Sequence, residues 1–413
     1  MNEGRLRALL HEVPIPDAAA AERRGRAVVT AAFAERAAGG EGGRDRRPSL
    51  PRLAFALAIA TLLTALLLSP AGAAVRDWVD DVFSAGVRDA APALTEIPSG
   101  GRLLVQSGEG PWVVQADGSR RLLGRYDDAT WSPRGLYVAA ASGRTLSALE
   151  PDGDPRWSLS PGGAVADPRW SPSRYRIAYR AGGSVRVTGA DGSGDMPIDR
   201  GVAPVPPAWS ALGLPLLAYI ADGGELRIAN TAAGAIAKAE APGLPDASSL
   251  EWAPDDSALL EAGGSALRVR EIGLDKLLAR TQIGPPRPLA LPQPSTILDA
   301  AFSPDGSRIA VLLRFGRGTP RSAIVLADPE GGPPHTLFAT PGRLAELAWS
   351  PDGSRLLIAW PEADQWLFVP ADGRGRVRAI GDIAAQFAPG HEAAAAFPRV
   401  AGWCCRAPLG GPP

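Results

Sequence analysis

The chain has 413 residues and a formal net charge of −1, with 45% hydrophobic and 21% charged residues. That near-neutral balance excludes the broad basic field by which nucleic-acid binders gather phosphate backbones, so no nucleic-acid partner is expected. The 48 glycines and 41 prolines call for many turns and short strands, while the only cysteines, Cys404 and Cys405, are adjacent and offer neither a disulfide framework nor a four-ligand zinc site.

Residues 1–50 begin with a short helical pattern, Leu6, Leu9 and Leu10, broken at Val13-Pro14-Ile15-Pro16. A second helical pattern runs from Asp17, a candidate N-cap, to about Ala38, with Val28, Val29, Ala32 and Phe33 on one side. Gly39 to Pro48 reads as a basic linker. Two helices of this size bury too little surface for an independent domain, so a weakly structured tail that assists insertion and orientation is the favoured reading.

Residues 51–75 follow as a membrane-spanning helix. Leu53 to Ser69 carries no charge, and the apolar character continues to Val75, a length that just crosses a bilayer core needing about 20 residues. Arg44, Arg46, Arg47 and Arg52 precede it, whereas Asp77, Asp80 and Asp81 follow, so the positive-inside bias places residues 1–50 in the cytoplasm and the rest outside. A cleaved signal ending near Ala71-Gly72-Ala73 is the alternative; the long polar stretch ahead of the apolar run favours the anchor. Residues 76–99 then form a juxtamembrane linker. A helical cytoplasmic tail, one span and an exported domain is also the layout that bacterial membrane anti-sigma proteins resemble, which implies a cytoplasmic protein partner for residues 1–50; the tail has no paired-Cys and His zinc signature to match.

From Gly100 one pattern recurs: an aromatic residue, Ser-Pro, a turn, and β-like runs joined by Gly-rich turns. The clearest copies are Phe302-Ser303-Pro304-Asp305-Gly306-Ser307-Arg308 and Trp349-Ser350-Pro351-Asp352-Gly353-Ser354-Arg355. Trp131, Trp170, Trp209 and Trp252 mark the others, and the successive spacings are 39, 39, 43, 50 and 47 residues. A period of about 40–45 residues with four strands per unit signals a β-propeller. Asp117-Gly118, Asp152-Gly153, Asp191-Gly192 and Asp372-Gly373 are placed as tight turns between third and fourth strands, Gly182-Gly183 and Gly263-Gly264 between second and third. In the last unit the expected strands are 344–349, 355–359, 365–370 and 376–380. These units resemble the WD40-like repeats of the TolB family of propellers, over roughly residues 100–405; Ala211, Ala253 and the stretch Pro285 to Pro294 depart from the pattern.

Arg102 to Ser107, Trp112 to Ala116 and Arg120 to Arg125 read as three strands lacking an innermost partner. An open inner edge would expose its backbone groups. Phe397 to Cys404 can supply the missing strand, with Trp403 as its marker, so the reading is an all-β propeller of seven blades closed by the C-terminal strand; six blades is the alternative. Asp382 to Ala396 is left as a connecting loop, Cys404 and Cys405 as packing residues beside the closing strand, and residues 406–413 as a disordered tail.

No catalytic residue, metal ligand set or cofactor motif is assigned. Gly-x-Ser-x-Gly is absent, and His335 and His391 are the only exported histidines, too few for a three-histidine zinc site. Asp191-Gly192-Ser193-Gly194-Asp195 has oxygen ligands at calcium-like spacing, but an Asp-Gly hairpin accounts for it. The expected function is a membrane-anchored extracytoplasmic module that binds a protein, peptide or envelope polymer. Its candidate contacts are the basic loop Arg314, Arg317 and Arg321 and, in the Pro-rich stretch, Arg287. A signal transducer of the anti-sigma layout is the alternative, and an enzyme with a site at the channel mouth the least favoured, given the thin inventory of acids, bases and metal ligands.

Overall fold

A computed structural model of the chain describes residues 93–172, 175–274, 281–293, 295–316, 321–388 and 396–405. The expected cytoplasmic tail, the span 51–75, most of the juxtamembrane linker and residues 406–413 lie outside them. Among the described residues no helix is long and apolar enough to cross a membrane.

Seven antiparallel sheets make up the structure, each with four strands in one path. Blade 1 takes its inner strand, Arg399–Cys404, from the far end of the chain and continues with Arg102–Ser107, Gly110–Val114 and Arg120–Leu122. Blades 2 to 7 start with the inner strands Asp128–Trp131, Val165–Trp170, Ala208–Trp209, Ala247–Trp252, Ser295–Phe302 and Leu347–Trp349. Each inner strand touches the next around the molecule, and Arg399–Cys404 touches both Leu347–Trp349 and Asp128–Trp131. The ring is therefore closed at seven.

Burial follows from this geometry. Second and third strands sit between two neighbouring blades, so both faces are covered and the sequence runs apolar without alternation, as in Ile309–Phe315 and Arg321–Ala327. Fourth strands form the rim, and in blades 1 to 5 none of their residues is buried, as in Pro155–Leu159. The core divides into seven clusters, one at each seam between blades. All seven aromatic markers are buried: Trp131, Trp170, Trp209, Trp252, Phe302, Trp349 and Trp403. A large apolar side chain fully buried this way contributes about 1.5–3 kcal/mol.

The closing strand pairs antiparallel with Arg102–Ser107, with Leu103 opposite Trp403 and Leu104 opposite Gly402. Trp403 donates from Nε1 to the Gly100 carbonyl at 2.9 Å and meets the Phe368 ring edge-on. Gly101 lies at φ +81, and a Cβ there would stand 2.8 Å from the Cys404 carbonyl and 2.9 Å from Trp403 Nε1. Only a residue without a side chain lets the two chain segments meet so closely.

Several local expectations change. The inner strand of blade 7 covers only Leu347–Trp349, because Ala345 and Glu346 instead bond Ala359 outside regular pairing. The connection after blade 7 contains a short helix, Ile383–Gln386, whose Ile383 and the following Phe387 are buried against blade 1. Packing also begins before Gly100: Leu94 and Ile97 are buried in the same cluster, and the Leu94 amide donates to Gln386 Oε1 at 3.1 Å. Blade 5 splits its outer edge, where Thr281–Ile283 and Arg287–Pro288 both pair with Ala266–Leu274. Cys404 and Cys405 are joined in a disulfide, which corrects their reading as simple packing residues. At the blade 4 turn, where Ala211 replaces the motif's usual residue, Asp256 from blade 5 accepts from Ser210 Oγ at 2.5 Å and from the Ala211 amide at 2.6 Å, and so supplies the missing carboxylate.

Candidate functional site

Two regions concentrate chemistry: the inner wall of the ring and one groove on its face. On the inner wall, the edge of each inner strand leaves backbone N–H groups that its own sheet cannot pair. Acids from the preceding blade take several of them. Glu251 Oε2 accepts from the Phe302 amide at 2.9 Å, Asp299 Oδ2 from the Leu347 amide at 3.1 Å, and Glu346 Oε2 from the Val400 amide at 2.8 Å. Arg399 donates from Nη2 to Asp128 Oδ1 at 3.1 Å and lies 4.0 Å from Glu346. Burial pushes Glu251 up to about 8, with the Phe302 amide opposing and the Asp299 charge adding to the rise. Burial likewise raises Glu346 to about 7 against the pull of Arg399, and raises Asp299. Arg169 is lowered by burial, partly offset by Asp128 and Asp167. Each raised acid is committed to a neighbouring blade's amide, so the set pins blades together. Among the described residues no three His, Cys, Asp or Glu side chains are grouped to hold a metal ion.

The second region lies on the face that carries the turns after the aromatic markers. Antiparallel order puts the first-to-second and third-to-fourth strand turns on that face and the second-to-third turns on the other. At several seams a cation covers the next blade's marker or bonds the next blade's turn. The Arg308 guanidinium lies 5.8 Å from the Trp349 ring and donates to the Ala371 carbonyl at 2.7 Å, and Arg102 lies 5.1 Å from the Trp131 ring. Arg176 makes the corresponding bond to the Thr231 carbonyl at 3.2 Å.

Between blades 2 and 3 this arrangement is replaced. The motif position that Arg308 fills in blade 6 is taken by Tyr137, stacked on Trp170 with ring centroids 6.5 Å apart. The bond to the next blade's turn comes instead from Trp157 on the outer strand, whose Nε1 donates to the Ala190 carbonyl at 2.7 Å. Gly192, at φ +81, makes room for that indole, because a Cβ there would meet the Trp157 ring at 2.9 Å. The motif serine is replaced by Leu136 in blade 2 and by Tyr175 in blade 3, exposed by 59% and 73%. The result is a groove of about 540 Å³ bordered by Leu136, Tyr137, Trp157, Trp170 and Tyr175, with Arg134, Arg156 and Asp191 among its lining residues. Six large hydrophobic side chains are exposed among the described residues, and Leu136, Tyr137 and Tyr175 are three of them. Exposed apolar side chains clustered on a concave surface mark a binding site more strongly than scattered ones do.

The equivalent crevice between blades 5 and 6 measures about 680 Å³ and is more polar than this groove, with Asp255, Glu271, Arg287, Asp305 and Glu330 among its lining residues. Its motif acid is spent internally: Asp305 accepts from Ser303 Oγ at 2.5 Å and from the Ser307 amide at 3.1 Å, and these bonds hold it down at about 2. The Asp191 hairpin behaves in the same way, its carboxylate accepting from the Ser193 amide and hydroxyl, while Asp195 pairs with Arg186 and Tyr179.

The basic residues singled out from sequence do not converge. Arg314 and Arg321 are exposed on the second-to-third strand hairpin of blade 6, on the face opposite the groove. Arg287 lines the polar crevice between blades 5 and 6. Arg317 and His391 lie outside the described residues, and His335 is exposed at the start of a rim strand. The groove was missed because its residues sit at motif positions normally filled by Ser and Arg. Reading departures from the repeat at those positions would have found Leu136, Tyr137 and Tyr175. The inner-wall acids had a signal too, since Asp128, Asp167, Asp299 and Glu346 each stand three residues before a marker.

No family model matches the chain, and no curated protein matches it. Solved structures do. A 6-phosphogluconolactonase-like protein from Bacteroides uniformis aligns with a TM-score of 0.50 and 15% identity, over 68% of this chain and 95% of that one. The β-propeller domain of Cps50 (Swd1) from Myceliophteria thermophila aligns at 0.49 and 14%, over 64% and 95%. TolB from Acinetobacter baumannii aligns at 0.43 and 17%, over 73% and 67%. Likeness at these identities concerns the fold alone, and the chain is a seven-bladed β-propeller.

Proposed function

We propose that this chain is a non-enzymatic recognition module, in which the propeller takes an extended segment of a protein or peptide into the groove between blades 2 and 3, and residues 51–75 hold it at the outer face of a membrane. The observation that carries the reading is the loss of the Ser and Arg of the repeat at one seam and their replacement by Leu136, Tyr137 and Tyr175 over a groove of about 540 Å³. Aromatic rings give large contact area at low entropic cost and accept extended, proline-containing chains on their faces. Three acids of the inner wall, Glu251, Asp299 and Glu346, support a structural role for the channel, because each already serves a backbone amide.

Panning a library of extended peptides against the full chain tests this reading. Wild type is expected to enrich proline- and aliphatic-containing sequences, and the double variant Leu136→Ser/Tyr175→Ser to lose that enrichment. Both side chains are exposed, so their replacement should change stability by less than about 0.5 kcal/mol. Enrichment that survives the double variant refutes the groove as the site.

A further inference from the structure

The six large hydrophobic side chains exposed among the described residues, Leu136, Tyr137, Tyr175, Met196, Leu212 and Ile236, are not scattered around the ring. Leu136, Tyr137, Tyr175 and Leu212 stand in the first-to-second strand turns of blades 2, 3 and 4. Met196 and Ile236 are the first and second residues of the outer strands Met196–Arg200 and Ala235–Lys238, just past the third-to-fourth turns of blades 3 and 4. All six therefore lie on the groove-bearing face, in three consecutive blades. At the matching turns blades 6 and 7 carry Asp305-Gly306-Ser307 and Asp352-Gly353-Ser354 instead. Facing sheets stand about 10 Å apart, so three blades present an apolar strip about 20 Å across.

Blade 4 is the uncharged end of that strip. Its two turns on this face, 210–215 and 230–234, contain no charged residue. The carboxylate that fixes the first of them comes from beneath: buried Asp256 accepts from Ser210 Oγ at 2.5 Å and from the Leu212 amide at 3.4 Å, while the Leu212 side chain is 62% exposed on the turn so held. Tyr175 is exposed at φ +48, a left-handed conformation that is costly for a bulky side chain. Apolar side chains held out on fixed turns lose little freedom on meeting a partner. The outer border of the strip is acidic. Asp152, Asp154 and Asp191 are exposed in the third-to-fourth strand turns of blades 2 and 3 and have no ion-pair partner among the described residues, whereas nearby Glu150 and Asp195 pair with Arg156 and Arg186.

We propose that the groove-bearing face of blades 2 to 4 docks a folded protein partner whose contact patch is aliphatic or aromatic at its centre and bordered by Lys or Arg, with one of its segments in the groove. This rests on the peptide reading of the groove for that segment and adds blade 4 and the acidic border to the site. An apolar centre within a polar rim is the ordinary anatomy of a protein interface, and opposite charge at the rim sets which partner is accepted. A second copy of this chain would bring the same acids, and an anionic lipid surface its phosphates, to a border that is already negative.

Panning a library of folded three-helix domains, randomised on one surface, against the full chain tests this docking. Selected domains are expected to carry aliphatic or aromatic residues bordered by Lys or Arg. The variant Met196→Ser/Leu212→Ser changes two exposed side chains and should leave melting unchanged, yet weaken the selected domains on the order of tenfold or more. In Asp152→Asn/Asp191→Asn each side chain can still accept from its own turn, so binding should weaken less and lose most of its salt dependence. Domains bound equally by wild type and Met196→Ser/Leu212→Ser overturn the extension over blade 4 and leave the groove reading to its own test. Domains lost on Met196→Ser/Leu212→Ser, with peptide enrichment that survives Leu136→Ser/Tyr175→Ser, overturn the groove reading and keep the blade 4 surface. Two further results overturn the protein partner: quenching of a bimane label on Leu212→Cys by phosphatidylcholine vesicles with brominated acyl chains shows a lipid surface, and crosslinks between isotopically light and heavy chains from p-benzoylphenylalanine at position 212 show a second copy.

Discussion

Removing residues from Phe397 onward deletes the inner strand of blade 1 and leaves Leu103, Leu104 and Val105, all fully buried, along an open edge. The size of the effect follows from what is lost. Five residue pairs of the ladder disappear, at about 1 kcal/mol for each hydrogen bond. The buried Trp403, with its bond to Gly100, adds the roughly 3–5 kcal/mol typical of removing a large aromatic from a core. Together these reach about 8–10 kcal/mol, within the 5–15 kcal/mol that separates folded from unfolded states in an ordinary domain. A chain ending at residue 396 should therefore lack a cooperative melt by near-ultraviolet circular dichroism at temperatures where the full chain is folded. A synthetic peptide of residues 397–405, added in excess, should restore the transition, since it can supply the same strand in trans. A truncated chain that melts within about 2 °C of the full one would show that the ring does not depend on this strand, and the closure argument would fail.

The raised acids of the inner wall predict a pH dependence. Glu251 at about 8 and Glu346 at about 7 hold protons in the folded ring that the unfolded chain releases near 4.5. The folded state thus binds more protons between those limits, and stability falls as pH rises from about 4.5 through 8. For Glu251 the displacement corresponds to at most about 5 kcal/mol. Glu251→Gln, which keeps an acceptor for the Phe302 amide, should flatten the fall in urea midpoints between pH 5 and pH 9; an unchanged slope counts against burial as the cause. For the tether, the full chain should remain in the membrane pellet after an alkaline wash, and recovery in the supernatant would rule out residues 51–75 as a span.

The ring itself was legible because its strongest signals are local and repeated. Each marker aromatic and Asp-Gly turn states its role within seven residues, and the orphan strands at Arg102 announced the need for a partner that Trp403 supplied. What escaped the sequence depends on contacts between repeats. Tyr137 gains its meaning only beside Trp157, on the outer strand of its own blade, and Trp170, in the next blade, and the burial of Leu94 and Ile97 depends on Gln386 and Phe387, nearly 300 residues downstream. The basic residues read from the sequence stand apart from the groove. Arg314 and Arg321 are close in sequence and flank one hairpin, where both are exposed on the face opposite the groove.

The path of the chain at the closing blade bears on how this protein should be handled. Ser99 bonds Ser354 in the turn after Trp349, and Glu96 pairs with Arg378 at the neighbouring third-to-fourth strand turn, so the segment entering the ring runs across the groove-bearing face. Cys405, where the closing strand ends, lies at that face as well, its sulfur beside Gly135. A bulky label attached at Glu96 or Ser99 would stand on the same side as the groove and shade it. Immobilisation for binding work belongs on the opposite side, for instance through a cysteine placed beside Gly183 or Gly264, where the second-to-third strand turns leave nothing to block.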